Sequence, residues 1–211
     1  MNPTRMRLLQ ATLESLREDG LAGLSARVVA TRAGVNQALV FYHFGSVDDL
    51  IDAAVRHGVQ ESANYYKEQF DAVTSFNELL EIGRTLHDRE RALGNVAVMA
   101  QLMAGAQTNQ ALQSSAQYAI QRWVSDIEDV VRRVLRGSPI AEIADAGGLA
   151  RSISAGFIGL ELYEGIDTDG ANSALDALES LGILMEVVDD LGPVARRALR
   201  AKVRRRLPPV T

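Results

Sequence analysis

Between Arg32 and Asp48 the chain runs for fifteen residues, AGVNQALVFYHFGSV, without a single charge. The polar groups there are two amides (Asn36, Gln37), a phenol (Tyr42), an imidazole (His43) and a hydroxyl (Ser46), set among the small apolar Ala38 and Leu39. A solvated helix normally carries charges on its outer face. These groups suit another task. An amide pairs with the adenine edge in a major groove, an aliphatic group touches a thymine methyl, and hydroxyl or imidazole groups hold phosphate oxygens. The chemistry is recognition of a duplex rather than bond making.

Two short helices and the start of a third must position this row. Ser25 is a good N-cap, and Leu24 and Val29 stand at the spacing of a hydrophobic staple. Ala26, Val29, Ala30 and Ala33 recur at three and four, which gives a narrow inward face of small residues. Gly34 permits a positive φ, so it ends the first helix in a sharp turn, and Asn36 caps the next. That second helix, about Gln37 to Phe44, is expected to turn Val40, Phe41 and Phe44 inward. A third starts at Ser46. Helix, tight turn, helix is the geometry that lays a recognition helix in the major groove.

Gly-Leu-x-Gly-Leu-Ser at 20–25, Ala-Gly-Val at 33–35, Tyr-His-Phe at 42–44, and Ser46 with Leu50 resemble the DNA-binding domain of the TetR family of bacterial regulators. The likeness covers about the first fifty residues in order and spacing. Gly-Leu-Glu-Leu-Tyr-Glu-Gly at 159–165 adds a weaker similarity. The resemblance implies DNA contacts at Arg27, Gln37, Ala38, Leu39, Tyr42 and His43, and the helix-start residues Asn36 and Ser46 are counted with them. Two positions depart from the family pattern. Phe41 stands where a Tyr is usual and Val47 where a Lys is common, and each removes a phosphate contact.

The chain has 211 residues and no cysteine, which excludes disulfides, thiolate metal sites and cysteine nucleophiles. No signal-peptide pattern and no long charge-free apolar span occurs, so no membrane role and a cytoplasmic location are expected. His43, His57 and His87 lack metal-binding spacing, and no phosphate loop, nucleophile elbow or dinucleotide fingerprint is present. Neither catalytic residue, metal nor cofactor is expected. An enzyme and a purely architectural DNA binder without an effector stand as the alternative readings.

The formal net charge of −5 is unevenly spread. Residues 1–50 hold five Arg against five acids, residues 51–193 hold ten bases against 22 acids, and residues 194–211 hold seven bases and no acid. An acidic body repels a duplex except where a neutral or basic face is offered. The basic tail reads as a solvated helix lying against that body, with DNA or an acidic neighbour as alternatives.

The expected fold is all-α. An N-terminal three-helix helix-turn-helix DNA-binding domain spans 1–48, and a C-terminal helical ligand-binding and dimerisation domain spans 49–211. Thr4 caps the first helix, whose stripe is Met6, Leu9, Leu13 and Leu16, and a long helix runs from Ser46 towards Phe70. Ala92 to Gln121 is charge-free and amide-rich, which implies burial. It suits an ordinary core or a pocket for a mostly apolar small molecule. The family resemblance favours the pocket, with ligand contacts at His87, Met99, Gln101, Met103, Tyr118, Trp123, Phe157 and Glu161.

The helix from Ala171 to Leu191 carries two apolar stripes, one more than a single core needs. The surplus points to a second copy of the chain and a two-fold dimer, with Gly156, Leu160, Leu178, Leu181 and Met185 at the interface. Such a dimer presents two recognition helices about 34 Å apart, one DNA turn, and implies a palindromic double-stranded operator.

Overall fold

Apolar residues at helical spacing become, in the computed structural model, eleven α-helices among the described residues, which are 2–136, 138, 141 and 145–205. They are α1 Pro3–Glu18, α2 Gly20–Gly23, α3 Ala26–Arg32, α4 Ala38–Phe44, α5 Val47–Ala72, α6 Phe76–Ala92, α7 Asn95–Ala106, α8 Gln110–Val134, α9 Ala146–Glu164, α10 Thr168–Asp189 and α11 Pro193–Arg204. Packing groups them into two units. One comprises residues up to Tyr66 with Leu86–Trp123, and the other Lys67–Thr85 with the described residues from Val124 onward. No described helix is long and apolar enough to cross a membrane.

In the first unit α1 starts on Asn2, not Thr4. Asn2 Oδ1 accepts from the Thr4 N–H at 2.9 Å, and Pro3 takes a first-turn position where its missing N–H leaves nothing unpaired. Thr4 is therefore the capped residue rather than the cap. The buried face of α1 is also wider than the expected stripe, adding Leu8, Thr12 and Ser15 to Leu9 and Leu16. Thr12 is tolerated there because its hydroxyl donates to the Leu8 carbonyl at 2.7 Å. The single turn α2 was not expected from the sequence.

One core joins Leu8, Leu9 and Ala11 of α1 to Ala26, Val29 and Ala30 of α3, Val40 of α4, and Leu50 and Ala54 of α5. The opposite side of α5 forms a second core, in which Ile51 and Val55 meet Leu16, Leu102 of α7 and Leu112, Ala116 and Ala119 of α8. The expected burial of the whole charge-free run is corrected here. Leu102, Leu112, Ser115, Ala116 and Ala119 are buried, but Gln101, Gln107, Asn109, Gln110, Gln113, Gln117 and Gln121 are exposed. Amides at the α7–α8 turn and on the outer face of α8 are hydrated without charge.

In the second unit α9 packs on α10, and Arg84 of α6 pairs with Asp176 and Glu179 of α10 at 3.0 and 3.1 Å. Arg133 closes the end of α5, donating to the Val73 carbonyl at 2.9 Å and the Phe70 carbonyl at 2.5 Å. Asp145 caps α9 by accepting from the Gly148 N–H at 2.6 Å. Gly137 and Pro139 after α8 and Pro208 near the end of the chain, helix-stopping residue types in the sequence, lie outside the described residues.

Leu50 is fully buried, whereas Tyr42 is 80% exposed. Leu50→Ala should therefore cost about 2–5 kcal/mol in a denaturant titration. Tyr42→Ala should stay within about 0.5 kcal/mol of the parent.

Candidate nucleic-acid interface

The turn between α3 and α4 follows from its residue types. Ser25 is extended, and its Oγ accepts from the Val28 N–H at 3.3 Å. At the other end of α3 the Gly34 N–H donates to the Thr31 carbonyl at 3.1 Å and the Val35 N–H to the Ala30 carbonyl at 2.9 Å. That pair of bonds is a Schellman closure with Gly34 at φ +64°. Val35 packs back on the core beside Ala30. Asn36 Oδ1 then accepts from the Ala38 N–H at 2.8 Å, so Asn36 starts α4 as expected of a capping amide, while Gln37, the residue before the helix, makes no side-chain capping bond and its carbonyl accepts from the Val40 N–H at 3.1 Å.

Gly45, at φ +84°, ends α4, and its N–H donates to the Phe41 carbonyl at 2.9 Å. Ser46 opens α5 by accepting from the Asp49 N–H at 3.0 Å while its hydroxyl donates to Asp49 Oδ2 at 2.6 Å. The Ser46 hydroxyl is thus already engaged within its own chain.

Held between these glycines, α4 buries Val40 and half-buries Phe44. Phe41 is corrected from inward to outward, being 47% exposed. The reason is angular. One helical residue turns the side chain by about 100°, so Phe41 cannot share the face of Val40, whereas Phe44, four residues on, does. The outer row is Gln37, Ala38, Phe41 and Tyr42, flanked by the half-buried Leu39 and His43, with Arg27 exposed on α3. Tyr42 meets the His43 ring edge-on at 5.0 Å, His43 lies 6.3 Å from Phe44, and the Arg5 guanidinium sits 4.9 Å over Phe44. Arg32 is drawn away from this row by Glu18 at 2.6 Å and Asp19 at 3.1 Å.

Behind the head, three polar connections tie it to other helices of the same unit. Gln101 Oε1 accepts from the Leu21 N–H at 2.9 Å. Arg17 donates to Asn95 Oδ1 at 2.8 Å, Asn95 Nδ2 to Glu90 Oε2 at 2.5 Å, and Ser62 to Glu90 Oε1 at 2.8 Å. Arg89 adds a 2.8 Å bond to Glu90 and lies 4.0 Å over the Tyr65 ring. On α5, Asp52 accepts from Arg56 at 2.7 Å and from Ser115 at 2.8 Å, and the Arg56 guanidinium lies 4.4 Å over Tyr118. Burial acts to raise the Asp52 pKa, but the bonds from Arg56 and Ser115 outweigh it and hold the carboxyl below its ordinary value. Sequence reading did not single out Asp52, Glu90 or Asn95. Only the Asp52–Arg56 pair carried a signal, its i,i+4 spacing.

Of the expected ligand contacts, His87, Met99, Gln101, Met103, Tyr118 and Trp123 belong to the first unit. His87 is buried, Met99, Met103, Tyr118 and Trp123 are half-buried, and Trp123 stacks obliquely 6.3 Å from the buried Tyr66. Gln101 is exposed and committed to Leu21. Phe157 and Glu161, both half-buried, belong to the second unit, where Phe157 lies against Gly83. Among the expected interface residues Gly156 is exposed, Leu160 half-buried, and Leu178 and Leu181 exposed, while the Met185 side chain lies outside the described residues. No cluster among the described residues is placed to hold a metal ion.

Residues 8–54 match the model of the bacterial regulatory proteins, tetR family. An uncharacterized HTH-type transcriptional regulator of Mycobacterium tuberculosis is 28% identical over 129 residues, 61% of this chain and 66% of that protein, so the match spans just under two thirds of the relative's length. The HTH-type transcriptional regulator BetI of Burkholderia thailandensis is 39% identical over 57 residues, 27% of this chain and 29% of BetI. A solved structure from Rhodococcus sp., described as a TetR-family transcriptional regulator, is 25% identical with a TM-score of 0.70, covering 86% of this chain and 99% of its own.

The depressed Asp52 pKa makes its stabilising effect full above the unfolded carboxylate range and lost as acid is added. Wild type should exceed Asp52→Asn in unfolding free energy at neutral pH, and the gap should close as the pH falls below about 4. A gap independent of pH would show that the carboxylate charge contributes nothing.

Proposed function

We propose that the chain is a DNA-binding helix-turn-helix transcriptional regulator of the kind its residues 8–54 resemble, the tetR family of bacterial regulatory proteins, and that it acts as a homodimeric repressor of a palindromic operator, released by a small, mostly apolar effector. The observation that carries the reading is α4, an exposed and uncharged row fixed between two left-handed glycines on a buried core. In this reading residues 1–48 form the reading head and residues 49–211 the effector and dimer part of a cytoplasmic protein. Gln37 and Ala38 face base edges, Tyr42 and His43 hold phosphates, and Arg27 and Asn36 flank them. Leu39 and Ser46 lie at the margin of this surface.

Dimerisation is supported by Leu178, Leu181, Ile183, Leu184 and Val187, all between 39% and 60% exposed on one helix of an isolated chain. So many large apolar groups on one surface mark an interaction face. Gly156 has open space where a Cβ would stand, which leaves room for a partner backbone on α9. A two-fold arrangement then sets the two α4 helices about 34 Å apart.

His87, Met99, Met103, Tyr118 and Trp123 are the proposed effector contacts. An effector acts only through its unequal affinity for the DNA-competent and released states, typically about 1–3 kcal/mol of coupling. Gln101 and Asn95 of α7, bonded to Leu21 and Arg17, are the route by which a shift of α7 reaches the head.

Selection of bound sequences from random duplexes should return an inverted repeat with half-sites one turn apart, and adding a metabolite library should abolish recovery with one compound class. Recovery of no preferred sequence would sink the proposal. Gln37→Ala should weaken the selected site by about 1–3 kcal/mol and relax one base position. A uniform loss on every sequence would mark Gln37 as a phosphate contact instead. Leu181→Glu should turn dimers into monomers in sedimentation, and dimers that persist would remove α10 from the interface.

A further inference from the structure

The strongest charge concentration that this function does not use is α11. Seven of the chain's 22 basic residues lie between 196 and 206, with no acid from 194 to the last residue. The helix is anchored at its start, where Pro193 takes the first position and Arg196 Nε donates to the Leu191 carbonyl at 2.7 Å. Beyond that anchor Arg197, Ala198, Ala201, Lys202 and Arg205 are exposed.

We infer that α11 is a second duplex-binding surface, which takes phosphates without reading bases. The inference rests on the chain being a DNA-binding regulator. The first fifty residues are electrically balanced and the row on α4 is uncharged, while residues 51–193 carry an excess of twelve acids over bases. Sequence-independent affinity for DNA comes almost wholly from cationic side chains that displace counterions. In this chain that charge is densest in the sequence from 196 to 206, which begins with α11. Guanidinium groups match phosphate oxygens in two-pronged fashion, and six of the seven bases are arginine. A helix that binds lipid surfaces needs large apolar residues opposite its charges. Between 194 and 205 the apolar residues are three alanines, two valines and one leucine, with no aromatic. The helix is too poor in apolar bulk to enter a bilayer interface, and a regular line of phosphates is the polyanion that this regulator must meet.

The test uses the full chain and a duplex of random sequence, with affinity followed between about 50 and 200 mM salt. The variant Arg197→Gln/Lys202→Gln/Arg205→Gln changes only exposed side chains, so its melting temperature should match the parent. The slope of log affinity against log salt should fall by about 2–3, since each lost phosphate contact removes about 0.9. Affinity for the random duplex at the lower salt should fall by about ten-fold or more, and Arg197→Lys/Arg205→Lys should restore the slope. Should the triple variant melt early, Arg197→Gln/Arg205→Gln takes its place, with the slope expected to fall by about 1.8 and an unchanged slope overturning the inference. Equal slopes and affinities for wild type and triple variant, with a selected sequence still bound, overturn this inference alone. Wild type that sediments with phosphatidylserine vesicles as strongly as it holds duplex at the same salt also overturns it. A wild-type chain that holds no duplex of any sequence overturns both this inference and the function beneath it.

Discussion

The orientation of α4, and with it everything the head presents, depends on one backbone torsion, the positive φ of Gly34. Nothing lies within 4 Å of where a Cβ would stand at this position, so the constraint is torsional rather than spatial. Any other L-residue would bear about 1–2 kcal/mol of left-handed strain. Once that torsion is accepted, the remaining geometry follows. Val35 is turned back onto the core, Asn36 is set to hold the Ala38 N–H, and Val40 is directed at Val29 and Leu50. The outer row is then fixed by what remains of the helix circumference, which is why Phe41 and Tyr42 face outward together.

The α1–α2 turn uses the same torsion, but there space is restricted as well. Gly20 has φ +71°, and a Cβ would stand 2.6 Å from Gln101 Oε1, the atom that accepts from Leu21. The glycine makes room for a bond between α7 and the head. A second attachment runs from Arg17 through Asn95 to the buried Glu90. A net hydrogen bond contributes about 0.5–1.5 kcal/mol, more when one partner is charged. Making or losing these two attachments therefore spans the about 1–3 kcal/mol expected of allosteric coupling. The proposed release by an effector would need no larger rearrangement than this.

The parts of the fold legible in the sequence were those written in local spacing. Ser25, Gly34 and Asn36 specify the turn through interactions within six residues, and the structure returns each bond in place. The rest was not legible where two local signals compete or where a partner is distant in sequence. Thr4 and Asn2 are both competent caps, and Pro3 at the first position decides between them. Phe41 was placed inward by hydrophobicity although its angle forbids it. The amides of residues 92–121 were assigned to the interior for want of charge, yet hydration satisfies an amide as well as burial does. The Asp52–Ser115 and Gln101–Leu21 bonds join residues 63 and 80 positions apart, a separation at which no pattern is visible.

Placing little charge on the reading head has a consequence for discrimination. Non-specific affinity is mainly electrostatic, whereas base contacts depend on hydrogen-bond geometry and apolar fit. In the proposed DNA-bound state, Phe41 and Val47 in place of a phenol and an ammonium would leave the N-terminal head fewer phosphate contacts of the kind that hold any sequence equally. The amide and apolar groups proposed to face the bases would be untouched by that loss. The ratio of specific to non-specific binding therefore rises even as absolute affinity falls. The acidic body acts in the same direction, because its excess of acids repels a duplex wherever no neutral or basic face is offered. On the inference above, attraction that is indifferent to sequence comes mainly from α11, beside the phosphate contacts proposed for Tyr42 and His43 on α4.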